Sequence, residues 1–182
     1  PRSDAREREG LCFQPGALPA VYRRVARDFP PIAYPPLRKM RAQLAQGAVE
    51  GVLCERQGLA AAYAFLLRAP KAKSLLLLLY AVEPEMRGSG VGSDFLRALL
   101  ERIPGAVGLY AEVEKEELAP DAAERRTRAR RIAFYERLGF SRGEGLYYYL
   151  FYRPLADPRH PDAAPAAGAA LSRLTGSKIS SF

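Results

Sequence analysis

The sequence has no tryptophan, one histidine, two cysteines and two methionines. The histidine, His160, lies between Arg159 and Pro161 in a stretch rich in Pro and Ala. A histidine-based metal site needs several converging ligands, and a Ser-His-Asp arrangement needs a histidine held inside a fold. Neither is expected, and no metal site is assigned. Cys12 and Cys54 are far apart and form no C-x-x-C pair. This argues against a disulfide framework or a zinc ribbon and for buried thiols in a reducing cytoplasm. Long apolar runs are also missing. The run from Leu75 to Val82 has eight residues, well short of the roughly 20 that cross a bilayer. No basic segment leads into an apolar one in the manner of a secretion signal. A membrane is therefore not an expected partner.

Positive charge is in excess: 28 Lys and Arg against 20 Asp and Glu, a net charge of +8. Such a surface attracts polyanions, but the sign alone does not say which. The arginine runs Arg125-Arg126 and Arg128, Arg130-Arg131 serve equally well as a solvated helix face. At 182 residues and 48% apolar content, the chain is long enough for one domain with a real core.

The chain is organised around LLLLLYAVEPEMRGSGVG, Leu75 to Gly92. Eight apolar residues read as a buried strand. Pro84 stops it, because proline donates nothing to a ladder. After Arg87, Gly88, Gly90 and Gly92, the residues Val91, Phe95, Leu96, Leu99, Leu100 and Ile103 recur on one face of a helix. Strand, glycine turn and helix together make an anion site. The first N–H groups of a helix lack internal acceptors, and the dipole places roughly half a positive charge there. Glycines let backbone approach a phosphate without a Cβ in between. No Lys follows the glycines as a P-loop requires, and the third glycine of G-x-G-x-x-G is absent from either start.

A second stretch, RRIAFYERLGF, ends at Phe140, and Leu109 to Glu114 (LYAEVE) lies between the two. R-G-S-G-V-G after a strand resembles the [QR]-x-x-G-x-[GA] pyrophosphate loop of the GNAT superfamily of N-acetyltransferases. The F-Y-E-R-L-G-F segment resembles the end of that superfamily's fourth helix, and LYAEVE its fifth strand. The resemblance covers roughly Leu18 to Arg153. It implies an α/β fold with a mixed, splayed central sheet flanked by helices, and acetyl-CoA as co-substrate with no metal. In that fold the pantetheine arm lies in a wedge, here between Leu76–Val82 and Leu109–Glu114. The resemblance further implies that backbone of Ala81 and Val82 bonds the pantetheine amides. Amides of Arg87, Gly88, Ser89, Gly90, Val91 and Gly92 would hold the pyrophosphate, with the Ser93 hydroxyl nearby.

The remaining residues give the organisation. Residues 1–10 read as a disordered N-terminus, 11–156 as the GNAT-like domain and 157–182 as a disordered Pro/Ala-rich tail. Leu18, Val21, Tyr22, Val25 and Phe29 mark a first helix ended by Pro30-Pro31. A second follows Pro35-Pro36 and closes near Gly47. Val49 to Glu55 and Leu59 to Leu67 read as strands joined at Gln57-Gly58. Lys115 to Thr127 reads as a long charged connection into the fourth helix, and Leu146 to Tyr152 as a closing strand.

An amine acceptor with a pKa near 10.4 must lose a proton, at about 4 kcal/mol near neutral pH, before it can attack. A carboxylate can take that proton. Glu112 matches the L-E-V carboxylate that some family members use as base. Glu114 lies on the same strand face, so either could serve. Tyr135 matches the tyrosine that protonates the leaving thiolate. Family members usually carry Asn and Ala where this chain has Arg128 and Arg131, and Arg131 is a candidate contact to a CoA phosphate. The resulting expectation is an acetyl-CoA-dependent N-acetyltransferase that acts by direct transfer in a ternary complex. Its partners would be acetyl-CoA and an unidentified amine, small molecule or protein, rather than nucleic acid. The alternative is a GNAT-fold binding module that holds CoA or an acidic partner such as RNA without turnover.

Overall fold

The computed structural model describes residues 11–15, 17–68, 74–102, 106, 108–143, 145 and 148–154. The segments expected to be disordered, 1–10 and 157–182, lie outside the described residues. The chain forms two compact units, Pro1–Arg68 with Leu77–Arg102, and Ala69–Leu76 with Ile103–Phe182.

The first unit begins with β1 (Leu11–Pro15), followed by α1 (Leu18–Asp28) and α2 (Leu37–Ala45). Then come β2 (Val49–Arg56), β3 (Leu59–Arg68), β4 (Ser74–Val82, which belongs to this unit from Leu77 on) and α3 (Val91–Arg102). Its strands stand in the order β1-β2-β3-β4, with β1 antiparallel to β2 and β2 antiparallel to β3. The β2–β3 turn holds Gln57 at φ 55° and Gly58 at φ 77°, the left-handed pair that matches strand twist in a two-residue hairpin. α1 buries Leu18, Val21 and Val25 and packs on β2 and β3. It comes close because β2 has a glycine there. A Cβ on Gly51 would lie 3.2 Å from both the Leu18 backbone and the Phe65 ring. α3 buries Val91, Phe95, Leu96, Ala98, Leu99 and Leu100, the face its spacing predicts, against β3.

The second unit contains β5 (Gly108–Glu114), α4 (Ala122–Arg137), β6 (Ser141–Gly143) and β7 (Tyr148–Pro154). The strand order is β5-β7-β6, and β7 is antiparallel to both neighbours. α4 packs on β5 and buries Ile132 and Tyr135.

Three segments differ from the sequence reading. The strands β1 and β6 are additional. α4 starts at Ala122 rather than beyond Thr127, because the Asp121 carboxylate accepts from the N–H groups of Ala123 and Glu124, each at 2.8 Å, and so caps the helix.

Candidate active site

In the first unit, β4 leads into the glycine loop through one turn of 3-10 helix, Pro84–Met86. Gly88 and Gly90 take φ values of 77° and 86°, a region costing other residues about 1–2 kcal/mol each. The space before them is open. A Cβ on Gly88 would meet nothing within 4 Å, and one on Gly90 would meet the Asp94 carboxylate at 3.9 Å. Among the described residues, the N–H groups of Gly88 through Ser93 donate no backbone hydrogen bond. They form an array of donors at the start of α3, beside open space and the positive end of a helix, and this arrangement fits a pyrophosphate.

Side chains hold the array in place. The Tyr80 hydroxyl donates to the Gly92 carbonyl at 2.8 Å, and its ring stacks on Phe95 at 5.7 Å. Ser89 Oγ donates to the Met86 carbonyl at 2.6 Å. Arg87 Nε donates to the Val82 carbonyl at 3.2 Å. Ala81 and Val82 are half-buried, and Arg87 to Gly90 are exposed.

The titratable candidates all belong to the second unit. Glu112 and Glu114 share a face of β5, with buried Val113 opposite. Their surroundings differ. Glu114 receives Arg131 Nη1 at 2.7 Å, so Arg131 would have to leave this pair to reach a phosphate. Glu112 makes no ion pair among the described residues, and desolvation raises its carboxyl above the ordinary value. Its side chain still reaches solvent, so protein crowds it without sealing it off.

Tyr135 is 9% exposed. Its ring packs among Phe134 (5.3 Å), Phe140 (5.3 Å) and Phe151 (5.5 Å). Burial raises its hydroxyl pKa, with the Arg131 charge opposing, so the hydroxyl keeps its proton at neutral pH. Arg128 bonds the Glu124 carboxylate and the Lys115 carbonyl, both at 3.0 Å, tying segment 115–118 to α4. The Tyr149 hydroxyl donates to Glu117 beneath the Lys115 and Arg142 cations. No group of three or more metal-binding side chains occurs among the described residues.

In the first unit the N–H array at a helix start suits a phosphate group, and in the second unit Glu112 is a carboxylate without an ion-pair partner among the described residues. The family model described as "Acetyltransferase (GNAT) domain" matches residues 49–142, more than half of the chain, and the protein belongs to the GNAT acetyltransferase family. No curated protein matches. Solved structures show the same fold. A GNAT-family protein from Bacteroides thetaiotaomicron aligns with a TM-score of 0.67 at 20% identity, covering 90% of this chain and 96% of that one. The ribosomal-protein-S18-alanine N-acetyltransferase of Escherichia coli aligns at 0.57 and 21%, covering 81% and 95%. NAA60 of Arabidopsis thaliana, in complex with acetyl-CoA, aligns at 0.57 and 14%, covering 79% and 98%. The fold class expected from the sequence, α/β with a mixed sheet flanked by helices, is the one found.

Proposed function

We propose that the protein moves an acetyl group from acetyl-CoA to a primary amine by direct transfer within a ternary complex. The observation that carries this reading is the unpaired N–H array from Gly88 to Ser93, set by two left-handed glycines and facing open space. It supports pyrophosphate binding. Glu112, raised by desolvation and without an ionic partner, supports a general base better than Glu114, which is already committed to Arg131.

In this reading Glu112 accepts a proton from the ammonium, directly or through water. The freed nitrogen lone pair forms the N–C bond to the acetyl carbonyl, and the C–S bond breaks. Tyr135 donates its proton to the departing thiolate and regains one from the nitrogen's remaining excess proton through solvent. General acid and base steps of this kind contribute on the order of 10²–10⁴ in rate each.

Two measurements test the reading. Acetyl-CoA should raise the melting temperature, because a ligand of the folded state alone stabilises it. Thiol release from acetyl-CoA with a panel of amines should give acetylated products by mass spectrometry. Absence of both a thermal shift and calorimetric heat at saturating acetyl-CoA would remove the proposal.

A further inference from the structure

We propose that an ion cluster at the end of α1 sets the position of the glycine loop, which makes Glu83, Arg24 and Arg27 positioning residues for acetyl-CoA. The inference rests on the acetyl-CoA reading above and goes beyond it.

Glu83 is 7% exposed, the one buried charged residue among the described core. Arg24 Nε meets one carboxylate oxygen at 2.6 Å and Arg27 Nη2 the other at 2.8 Å. Arg27 also grips both oxygens of Asp28, at 2.6 and 2.7 Å. The hydroxyl of Tyr63, fully buried on β3, donates to Asp28 at 2.5 Å. Arg24 Nη1 donates to the Ala20 carbonyl at 3.1 Å, which holds the arginine along its helix. The cluster therefore contains two cations, two anions and a phenol, all in the first unit.

Glu83 is also where the chain leaves the sheet. Its N–H donates to the Ala61 carbonyl at 2.9 Å, and its own carbonyl accepts from Met86 N at 2.9 Å. With the side chain held as well, this residue is fixed at three points. The loop beyond is braced by Ser89, Arg87 and Tyr80, so a displacement of Glu83 carries over to the N–H array a few residues later. Anion recognition by backbone donors tolerates errors of about 0.5 Å. Stability alone gives little reason for such a cluster, since apolar residues of similar volume commonly serve as well as a buried ion pair.

The sign of one substitution separates positioning from charge. Glu83→Gln removes a negative charge near a site for a polyanion. Simple electrostatics then predicts tighter binding of acetyl-CoA, whereas loss of positioning predicts weaker binding. The experiment is calorimetric titration of the full chain with acetyl-CoA, well below the melting temperature. It compares wild type, Glu83→Gln, Arg24→Lys and Met40→Ala. Met40 is fully buried on α2 in the same unit and outside the cluster, so its loss reports destabilisation alone.

The expected result is at least tenfold weaker binding for Glu83→Gln, a smaller loss for Arg24→Lys, and wild-type affinity for Met40→Ala. Unchanged or tighter binding by Glu83→Gln would overturn the inference. So would an equal loss in Met40→Ala, which would trace affinity to stability. If Glu83→Gln does not fold, Arg27→Lys, which keeps the charge but loses the paired guanidinium geometry, carries the same prediction at a side chain half exposed to solvent. A wild type that does not bind acetyl-CoA removes the functional reading and this inference with it, whereas a wild type that binds alongside unaffected variants removes the inference alone.

Discussion

Replacing Glu112 by Gln should cost activity and improve stability. Desolvation makes its carboxyl hold a proton more tightly in the folded chain than in the unfolded one. Between the ordinary value of 4.5 and the raised folded value, the folded state binds more protons than the unfolded state. Stability therefore falls as pH rises through that window and stays reduced above it. Gln has no charge to desolvate, so Glu112→Gln should melt higher than wild type at neutral pH and level with it below the window. Glu114→Gln should behave in the opposite way. It breaks a pair of partly exposed groups, Arg131 and Glu114 at 50% and 39% exposure. Such pairs contribute about 0–1 kcal/mol, so the melting temperature should fall by no more than about 4 °C. With an accepted amine, Glu112→Gln should lower kcat by roughly 10²–10⁴ and erase the acidic limb of the pH profile. In wild type that limb should lie above the ordinary carboxylate value, since it reports a raised group. The assay is thermal melting from acid to neutral pH beside kcat over the same range for the three proteins. A lower melting temperature for Glu112→Gln at neutral pH would refute the desolvation argument, and an intact acidic limb would refute the base assignment.

Other substitutions test separate parts of the site. Tyr135→Phe should lower kcat about ten- to a thousandfold while acetyl-CoA affinity hardly changes, because the lost interaction forms mainly in the transition state; full activity in a folded variant would sink the acid role. Gly90→Val should abolish the thermal shift with acetyl-CoA, since φ 86° is a left-handed conformation that a β-branched residue resists; a wild-type shift would show that the loop tolerates the strain. Asp121→Ala removes the cap of α4 and should destabilise the protein by about 1 kcal/mol, measured by denaturant unfolding, with acetyl-CoA affinity unchanged.

Periodicity made much of this fold legible. α1 and α3 have regular apolar spacing, β2 and β3 are apolar runs joined by a turn signal, and the boundaries of all four fall within a residue or two of expectation. β1 escaped because five residues ending in Pro15 carry too short a pattern, and an edge strand can end on proline. β6 has no apolar residue in Ser-Arg-Gly and exists through its ladder with β7. The first turns of α4 show no apolar period because ten residues, Ala122 to Arg131, bury nothing. The available signal was chemical: Asp121 followed three residues later by Glu124, a helix-start pattern. For the site, the two-residue period placed Glu112 and Glu114 on one face but could not say which was paired. Arg131 lies 17 residues from Glu114 in sequence, and Arg24 lies 59 from Glu83. No local rule couples such positions; folding does.

The chain treats two of its carboxylates in opposite ways, and the contrast separates scaffold from chemistry. Glu83 is buried, and each of its oxygens meets a guanidinium. Burying a charge is costly, and this arrangement offsets the cost with geometry that fixes where a strand ends. Such a carboxylate is committed to structure, because each of its oxygens already accepts from a guanidinium. Glu112 is exposed but partly desolvated, and has no ion-pair partner among the described residues. A fold selected for stability alone would put Gln or Thr there, since an uncompensated carboxylate weakens the folded state at neutral pH. A carboxyl raised in this direction takes up a proton more readily than an ordinary one, which suits a base. Stability and rate should therefore move in opposite directions at Glu112 and together at Glu83, where disturbing the clamp loosens both the unit and the loop it carries.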